Sequence, residues 1–263
     1  MGRAMNEYTS FAKVYDRFMD NVPYEEWADR TDGLIRKYLG NAEGNAERLH
    51  VVDAGCGTGV FSELLCARGY RVTGADISED MLAEAERRRQ ETGSDILYIC
   101  QDMRELDPGE QADAVVSVCD CVNYLLSAGD VTRFFAAVKR ALKPGGVLVF
   151  DYTTPHRYRD EIGDATIAES RDDCAFIWEN YYHEEEHINE YELTLFAAAP
   201  GSDPAADGAP FLRSVEVHFQ RGYTPEEIRE CAADAGLEVL FEEDGEEGGA
   251  VSGDSGRVRA VLG

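Results

Sequence analysis

The chain has 263 residues, the length of one large domain or two small ones, and 44% of them are hydrophobic, so wholesale disorder is excluded. Its 25 basic residues stand against 52 acidic ones, which gives a formal net charge of −27 at pH 7. A chain this acidic repels nucleic acids and anionic membrane surfaces, because affinity for both depends mainly on basic side chains. We therefore expect no nucleic-acid partner and no membrane association.

The cysteines and the first residues favour a cytoplasmic location. The seven cysteines form no C-x-x-C pair and lie mostly in apolar runs, which is typical of reduced, buried thiols. The sequence that starts at Met1 leads into polar residues, so it does not match a secretory signal. No stretch reaches the roughly 20 apolar residues of a membrane span.

Two pairs of metal-ligating residues need an interpretation. Cys119 and Cys121 are two positions apart beside a predicted strand, flanking Asp120, and neighbouring strand residues point to opposite faces. His183 and His187 flank three glutamates, a pattern more typical of a charged turn than of a metal site. We therefore expect no metal ion.

Two helices are predicted ahead of the first strand. Apolar residues recur at helical spacing between Tyr8 and Met19, and a second helix follows Pro23. The small and polar residues 40–47 then separate this helical preface from the rest of the chain.

From Leu49 to Asp151, short apolar strands alternate with helices, which predicts a doubly wound α/β fold with a mostly parallel sheet covered on both faces. The predicted strands are 49–52, 70–75, 96–100, 114–118 and 147–150, and the predicted helices are 60–68, 78–90 and 131–142. The last helix ends at a K-P-G-G stop signal at residues 143–146.

The alternation breaks after the fifth strand. Aromatic and β-branched runs at 176–178, 191–196 and 215–219 predict antiparallel strands with one solvated face. A capped helix begins at Thr224 and ends near Gly236, and strands follow at 237–241 and 257–262. We therefore divide the chain into an N-terminal helical lid (1–45), an α/β domain (46–154 and 222–263) and an inserted antiparallel β region (155–221) that serves as a lid or binds substrate.

The strongest functional signal is the sequence D-A-G-C-G-T-G at residues 53–59, directly after the first predicted strand. Its alternate glycines allow positive φ and expose peptide N–H groups next to a helix N-terminus. A dinucleotide fingerprint would need a glycine where Val60 stands. The acid Asp53 suits a ligand with a cationic group better than a pyrophosphate. Taken alone, the motif is also compatible with a phosphate-binding loop.

Two further acids follow the second and third predicted strands. Asp76 is placed to accept the hydroxyls of a ribose, with a helix N-cap carboxylate as the alternative. Asp102, between Gln101 and Met103, could accept an adenine amino group while the methionine packs on the ring; a surface-loop aspartate is the alternative. These positions and residues 118–124 follow the carboxyl ends of strands, where open α/β sheets bind ligands.

In order and spacing, the motifs between about residues 49 and 151 resemble those of the class I S-adenosylmethionine-dependent methyltransferases. The resemblance implies a seven-stranded sheet of order 3-2-1-4-5-7-6 with an antiparallel last strand, and it implies S-adenosylmethionine as cofactor with S-adenosylhomocysteine as product. The preface is similar to that of stand-alone members, including sugar N-methyltransferases, in which it folds over the cofactor and the aromatic residue at position 15 reaches the methionine carboxylate. The implied cofactor-binding residues are Tyr15, Asp53, Ala54, Gly55, Cys56, Gly57, Thr58, Gly59, Asp76, Ile77, Met81, Gln101, Asp102, Met103, Cys119 and Asp120.

The resemblance also implies the reaction, which is transfer of a methyl group to a nitrogen or oxygen atom of a small-molecule acceptor. From the charge we expect a neutral or cationic acceptor, and we expect a monomer or homodimer. The alternatives are a protein or peptide methyltransferase, a non-catalytic cofactor-binding module, and an NAD-dependent oxidoreductase, against which the glycine spacing argues.

No general base stands out from the sequence. His218 alternates with apolar neighbours and shares a face with Glu216, so a solvated side chain is one interpretation. The catalytic candidates are Asp120, Asn123, Tyr124, His156 and His218, with Tyr152, His183 and Arg221 as further residues near the acceptor.

Overall fold

The computed structural model describes residues 11–40 and 48–263. The start of the first predicted helix and the predicted linker at 41–47 lie outside the described residues. In chain order, the helices and strands are α1 (Ala12–Phe18), α2 (Tyr24–Leu39), β1 (His50–Ala54), α3 (Val60–Ala67), β2 (Arg71–Asp76), α4 (Glu79–Thr92), β3 (Leu97–Cys100), β4 (Ala112–Ser117), α5 (Ala128–Ala141), β5 (Leu142–Thr153), β6 (Thr166–Ser170), β7 (Cys174–His183), β8 (Ile188–Ala198), β9 (Phe211–Arg221), α6 (Pro225–Ala235), β10 (Val239–Asp244) and β11 (Arg257–Leu262). Short 3₁₀ turns span Met103–Glu105 and Cys121–Tyr124, and a π-helical turn spans Arg157–Ile162.

Seven strands form one sheet in the order β3-β2-β1-β4-β5-β11-β10. Strands β1 to β5 pair in parallel, and β11 is antiparallel to both of its neighbours. Because β10 and β11 are the sixth and seventh strands of this sheet, the expected order 3-2-1-4-5-7-6 is confirmed.

The main sheet is buried on both faces, as its continuous apolar strands predict. Phe134 of α5 and Ile228 of α6 pack on one face, and Ile35 of α2 and Leu65 of α3 pack on the other. Strand β5 is longer than predicted because it begins directly after α5. Leu142 pairs with Ala112 and the pairing resumes further along, so the K-P-G-G segment forms a bulge within the strand.

A second, antiparallel sheet has the order β6-β7-β8-β9. The three predicted strands are present as β7, β8 and β9, whereas β6 escaped prediction because its sequence T-I-A-E-S is short and half polar. Strand β9 buries the face that carries Glu216 and His218 and exposes the opposite face. His218 is 0% exposed and Glu216 is also buried, while Val215 faces the more exposed side. The interpretation of His218 as a solvated residue is therefore wrong.

Asn123 connects the two sheets. Its side-chain Nδ2 donates to the carbonyl oxygens of Thr153 at 2.9 Å and of Arg221 at 2.7 Å. Its Oδ1 accepts from the Thr153 peptide N–H at 2.9 Å. The buried amide thereby joins the end of β5 to the end of β9, and it sets the position of the second sheet beside the carboxyl ends of the main-sheet strands.

Helix α1 packs on the buried face of the second sheet. Phe18 makes an edge-to-face contact with Phe176 at 4.8 Å between ring centroids, and Val14 belongs to the same apolar cluster. Within residues 11–40 and 48–263, no helix combines the length and the apolar character needed to cross a membrane.

We predict that Asn123→Ala lowers the free energy of unfolding by about 2–4 kcal/mol, because it leaves buried peptide groups of β5 and β9 without their partner. Urea unfolding measures the change. Gln111→Ala is the matched control, since the exposed Gln111 side chain also donates to two carbonyl oxygens, at 3.3 and 3.0 Å, and water can replace it there. Equal losses in the two variants would contradict the role given to Asn123.

Candidate active site

The loop between β1 and α3 is a tight turn that needs its glycines. Gly55, Gly57 and Gly59 have φ values of +84°, +53° and +79°, a region that L side chains rarely adopt. A Cβ atom at Gly55 would also lie 2.5 Å from the Sγ atom of Cys121. The loop therefore turns close beneath the segment that follows β4.

The peptide groups of this loop are less exposed than the sequence suggested. The N–H groups of Gly55 and Cys56 both donate to the Ala75 carbonyl, at 2.7 and 3.0 Å. The Gly57 N–H donates to a carboxylate oxygen of Asp76 at 2.8 Å. The expectation of bare amides at these three positions is wrong, because the turn brings them against the end of β2, where buried peptide groups find partners.

Asp53 lies at the bottom of the cleft with 1% of its surface exposed. The Ser62 hydroxyl donates to its Oδ2 atom at 2.6 Å. Burial raises the pKa of the Asp53 carboxyl to about 7, and the nearby Asp76 charge adds to this effect despite the Ser62 hydrogen bond. This carboxyl therefore changes its protonation near neutral pH.

Asp76 ends β2 beside the glycine loop. Its two oxygens accept from the peptide N–H groups of Gly57 and Ser78, each at 2.8 Å, and burial raises the pKa of its carboxyl. The N-cap of α4 is Ser78, whose hydroxyl accepts from the Met81 N–H at 3.3 Å, so the alternative of Asp76 as the helix cap is wrong. Within residues 11–40 and 48–263, neither Asp53 nor Asp76 has a lysine or arginine partner.

Asp102 has a different environment. Its carboxylate pairs with the Arg104 guanidinium and accepts from the Arg104 peptide N–H at 2.9 Å. The guanidinium holds the pKa of Asp102 below its usual range and also reaches Asp130 at 3.2 Å. Any ligand contact of Asp102 is therefore made by a carboxylate that already carries a cationic partner.

These groups surround one cleft of about 640 Å³. The predicted cofactor residues that line it are Tyr15, Asp53, Gly55, Cys56, Gly57, Thr58, Asp76, Ile77, Met81, Gln101, Asp102, Met103 and Cys119, whereas Ala54, Gly59 and Asp120 do not line it. Lining residues that the sequence analysis missed include Tyr24, Phe61, Arg104, Cys121 and Leu125. An aromatic residue directly after Pro23, at the start of a helix, is the one signal that could have pointed to Tyr24.

Helix α1 lies over the glycine loop. The Asp16 carboxylate accepts from the Thr58 hydroxyl at 2.6 Å and pairs with Arg88 of α4. Tyr15, the residue before Asp16 in α1, lines the cleft. The described part of the preface is therefore attached to the loop that it covers.

The predicted catalytic candidates have different surroundings, and Tyr124 is the one that lines the cleft. Asp120 contacts Arg257 at 2.8 Å and accepts from the Thr153 hydroxyl at 2.7 Å. His156 lies 2.8 Å from Asp160 on the π-helical turn. Asn123 joins the two sheets, and Nδ1 of His218 lies 3.5 Å from the Tyr124 hydroxyl. Tyr152 is buried, His183 contacts Glu190, and Arg221 pairs with Glu227.

The segment after β4 is not an extended strand. The argument from the alternating faces of a strand therefore does not apply to Cys119 and Cys121, and that prediction is wrong. Strand β4 ends at Ser117, and both Cys119 and Asp120 have positive φ values, +63° and +62°. Among the residues that the structure describes, no group of three or more histidine, cysteine, aspartate or glutamate side chains could hold a metal ion.

The fold and the acidic cleft define an α/β enzyme with its ligand site at the carboxyl ends of parallel strands. Residues 51–146 match the family described as "Methyltransferase domain". The Bacillus subtilis (strain 168) protein named "Putative methyltransferase YqeM" is 32% identical over 233 residues, which cover 88% of this chain and 87% of that protein.

Solved structures agree with the family match. A S-adenosylmethionine-dependent methyltransferase from Clostridium acetobutylicum ATCC 824 superimposes with a TM-score of 0.80 at 26% identity, covering 97% of this chain and 98% of that chain. The sugar N-methyltransferase KedS8 from Streptoalloteichus sp ATCC 53650 shares the fold, with a TM-score of 0.72 at 22% identity over 99% of this chain and 95% of that chain. The chain belongs to the class I S-adenosylmethionine-dependent methyltransferases, and S-adenosylmethionine is its cofactor.

We predict that Asp53→Asn stabilises the ligand-free protein increasingly as the pH rises. A folded-state pKa raised to about 7 means that the native protein holds this proton more tightly than the unfolded chain. The ionised carboxyl therefore costs stability as the pH rises towards that value, and the advantage of the variant should grow by about 3 kcal/mol between about pH 5 and about pH 8.

Denaturant unfolding at the two pH values measures this advantage. Asp102→Asn is the matched control, and it should destabilise the protein at the higher pH because the Arg104 guanidinium favours the ionised Asp102. An advantage of Asp53→Asn that does not change with pH would contradict the environment described for Asp53.

Proposed function

We propose that this methyltransferase transfers the methyl group of S-adenosylmethionine to a nitrogen or oxygen atom of a small-molecule acceptor, which is neutral or cationic. The proposal depends mainly on the cleft, which is lined by Asp53 and Asp76 and by the aromatic residues Tyr15, Tyr24 and Tyr124. Its volume of about 640 Å³ lies in the range of about 300–1,000 Å³ of small-molecule sites.

The donor set of the cleft fits the cofactor. When bound, S-adenosylmethionine supplies a methyl group on a positively charged sulfur, and it also carries an ammonium group. Asp53 is buried and Asp76 is partly buried, the loss of water raises the pKa of both carboxyls, and a cationic ligand would compensate their charge. We assign Asp53 to the ammonium end, Asp76 to the ribose hydroxyls and residues 101–103 to the adenine.

Two walls support a small acceptor. Helix α1 lies over the glycine loop through Asp16, and the second sheet, joined by Asn123, lies beside Tyr124. The acidic residues Glu79 and Asp80 also line the cleft, which favours a neutral or cationic acceptor over an anionic one. KedS8, which shares the fold, is named a sugar N-methyltransferase, and an acceptor of sugar size suits these two walls.

We predict that Asp76→Ala weakens binding of S-adenosylmethionine by about 1.5–3 kcal/mol, because hydrogen bonds to a charged group are lost. Isothermal titration calorimetry with S-adenosylmethionine and with S-adenosylhomocysteine measures the change. Asp95→Ala is the control, because this exposed acid pairs with Arg48 and is not part of the cleft. Unchanged affinity in Asp76→Ala would contradict the assignment of the ribose.

The acceptor class is tested by methyl transfer from labelled S-adenosylmethionine to a panel of primary amines, phenols and amino sugars, with basic peptides as the competing class. We expect label in one or more of the small molecules. Label in the peptides alone would overturn the small-molecule proposal and favour a protein or peptide methyltransferase.

A further inference from the structure

A polar cluster lies behind the acceptor end of the cleft, on the buried face of the second sheet. We call Tyr124, Tyr191, His218 and Glu216 the buried polar cluster. Tyr124 is the member that lines the cleft, and it follows β4 at the carboxyl edge of the main sheet. The other three come from β8 and β9, where Tyr191 and His218 are directly opposed in the antiparallel register.

The contacts of the cluster form a chain that leads away from the cleft. The Tyr124 hydroxyl lies 2.7 Å from the Tyr191 hydroxyl and 3.5 Å from Nδ1 of His218. On the other side of the imidazole ring, Nε2 of His218 lies 3.3 Å from Oε2 of Glu216. A carboxylate, an imidazole and a phenol are therefore arranged in sequence, and the phenol is the group that lines the cleft.

The surroundings hold the imidazole in one orientation. The Tyr191 ring stacks on the His218 ring with 4.9 Å between centroids and 6° between planes. Oε1 of Glu216 accepts from the Phe11 peptide N–H at 3.0 Å, which fixes the carboxylate. The Glu216 carboxylate lies 3.3 Å from Nε2 of His218, outside hydrogen-bond geometry for that pair, so its negative charge attracts a proton to Nε2 and leaves Nδ1 to face Tyr124.

The burial of these groups is unusual for a β-strand. In β9 the polar side chains of Glu216 and His218 face the interior, and the apolar Val215 faces the exposed side. Burying polar and ionisable groups costs stability unless hydrogen bonds compensate for it, and such departures from the apolar-in pattern concentrate at functional sites.

We propose that Tyr124, His218 and Glu216 form a proton relay that removes a proton from the methyl acceptor. This inference rests on the proposed function, because it presumes that an acceptor binds beside Tyr124. Tyr124 is the catalytic residue of the relay, since it contacts the acceptor. His218 and Glu216 act through Tyr124 and are positioning residues.

The relay moves one proton from the acceptor to Tyr124 and another from Tyr124 to His218. The acceptor nitrogen or oxygen forms a bond to the methyl carbon while the bond between methyl carbon and sulfur breaks, and the sulfur keeps that electron pair. The acceptor proton moves to Oη of Tyr124, and the Tyr124 hydroxyl proton moves to Nδ1 of His218. The resulting imidazolium lies beside the Glu216 carboxylate, and its proton returns to water through Tyr124 after the product leaves.

The groups that face His218 come from several elements. Glu216 lies on the same strand, Tyr191 comes from β8, Tyr124 from the turn after β4, and Trp178 of β7 packs on Tyr191 at 4.8 Å between centroids.

The relay also restricts the substrate. A base is useful only for an acceptor atom that carries a proton to lose, such as a hydroxyl or a protonated amine, and not for a thioether or a tertiary amine.

The first test is spectroscopic and needs no acceptor. In the full-length ligand-free protein labelled with ¹⁵N-histidine, the His218 signal is identified by its loss in His218→Gln. We expect a proton on Nε2 and none on Nδ1, and we expect the Nδ1 resonance to shift in Tyr124→Phe. A proton on Nδ1, or an Nδ1 resonance that Tyr124→Phe leaves unchanged, would overturn the relay.

The second test is the pH profile of methyl transfer to the compounds of the acceptor panel. Tyr124→Phe and His218→Gln should lower kcat by about 10²–10⁴-fold at neutral pH, the contribution of a general base. The deficit should shrink about tenfold per pH unit as the acceptor loses its proton to water instead. Glu216→Gln removes the negative charge near Nε2 but keeps Tyr124 and His218 in place, so it should have a smaller deficit. A deficit that is equal at all pH values would mean a purely structural role and would contradict the relay.

Two controls separate the relay from general damage. Tyr158→Phe removes another buried hydroxyl on the same face, one that donates to Gln220 at 3.1 Å. His183→Gln removes the exposed histidine that contacts Glu190. Both should keep the wild-type pH profile. Failure of the proposed function would appear separately, as transfer of label to the basic peptides alone, and would leave the histidine spectrum to decide on the relay.

Discussion

The site depends on two carboxylates, the buried Asp53 and the partly buried Asp76, that have no cationic partner among the described residues. Asp53 and Asp76 lie at the ends of neighbouring strands, and their protein contacts are a hydroxyl and peptide N–H groups. The Asp76 charge adds to the effect of burial in raising the pKa of Asp53, so an ionised Asp53 is unfavourable in the ligand-free cleft. A positively charged ligand compensates that charge, which links the cofactor of this family to the fold that binds it.

The rest of the fold keeps the two acids where they are. Parallel pairing of β1 with β2 brings Asp53 beside Gly74 and the strand ends to one edge of the sheet. The glycine loop then turns back over that edge, and Asp76 holds it through the Gly57 N–H. Helix α1 lies over the loop through Asp16. Asp76 and Asp16 therefore attach the glycine loop to β2 and helix α1 to the glycine loop.

Much of the main sheet and of the cofactor end of the cleft could be predicted from the sequence. Apolar strands buried on both faces and a loop that requires positive φ leave local patterns, so the strands and the positions of Asp53 and Asp76 at their ends could be located from the sequence. The sheet order came instead from the resemblance to the methyltransferase family. The pairing of Asp102 with Arg104 was not predicted, because a pattern of residue types does not specify which side chains meet.

The acceptor side could not be predicted in the same way. The rule that apolar side chains of an alternating strand face inward fails for β9, because Glu216 and His218 are buried against partners from β8 and from the turn after β4. Asn123 likewise contacts Arg221, which lies 98 positions away in the chain. Such contacts are tertiary, and no local period encodes them.

The most direct test of the central claim is the number of protons released when S-adenosylmethionine binds. Calorimetric titration near pH 6.5, in buffers with different ionisation enthalpies, measures this number. If the cation is compensated by Asp53, whose pKa is raised to about 7 in the ligand-free protein, binding should release a substantial fraction of a proton, and the release should vanish in Asp53→Asn. Binding without proton release, or an equal release in the variant, would contradict the account.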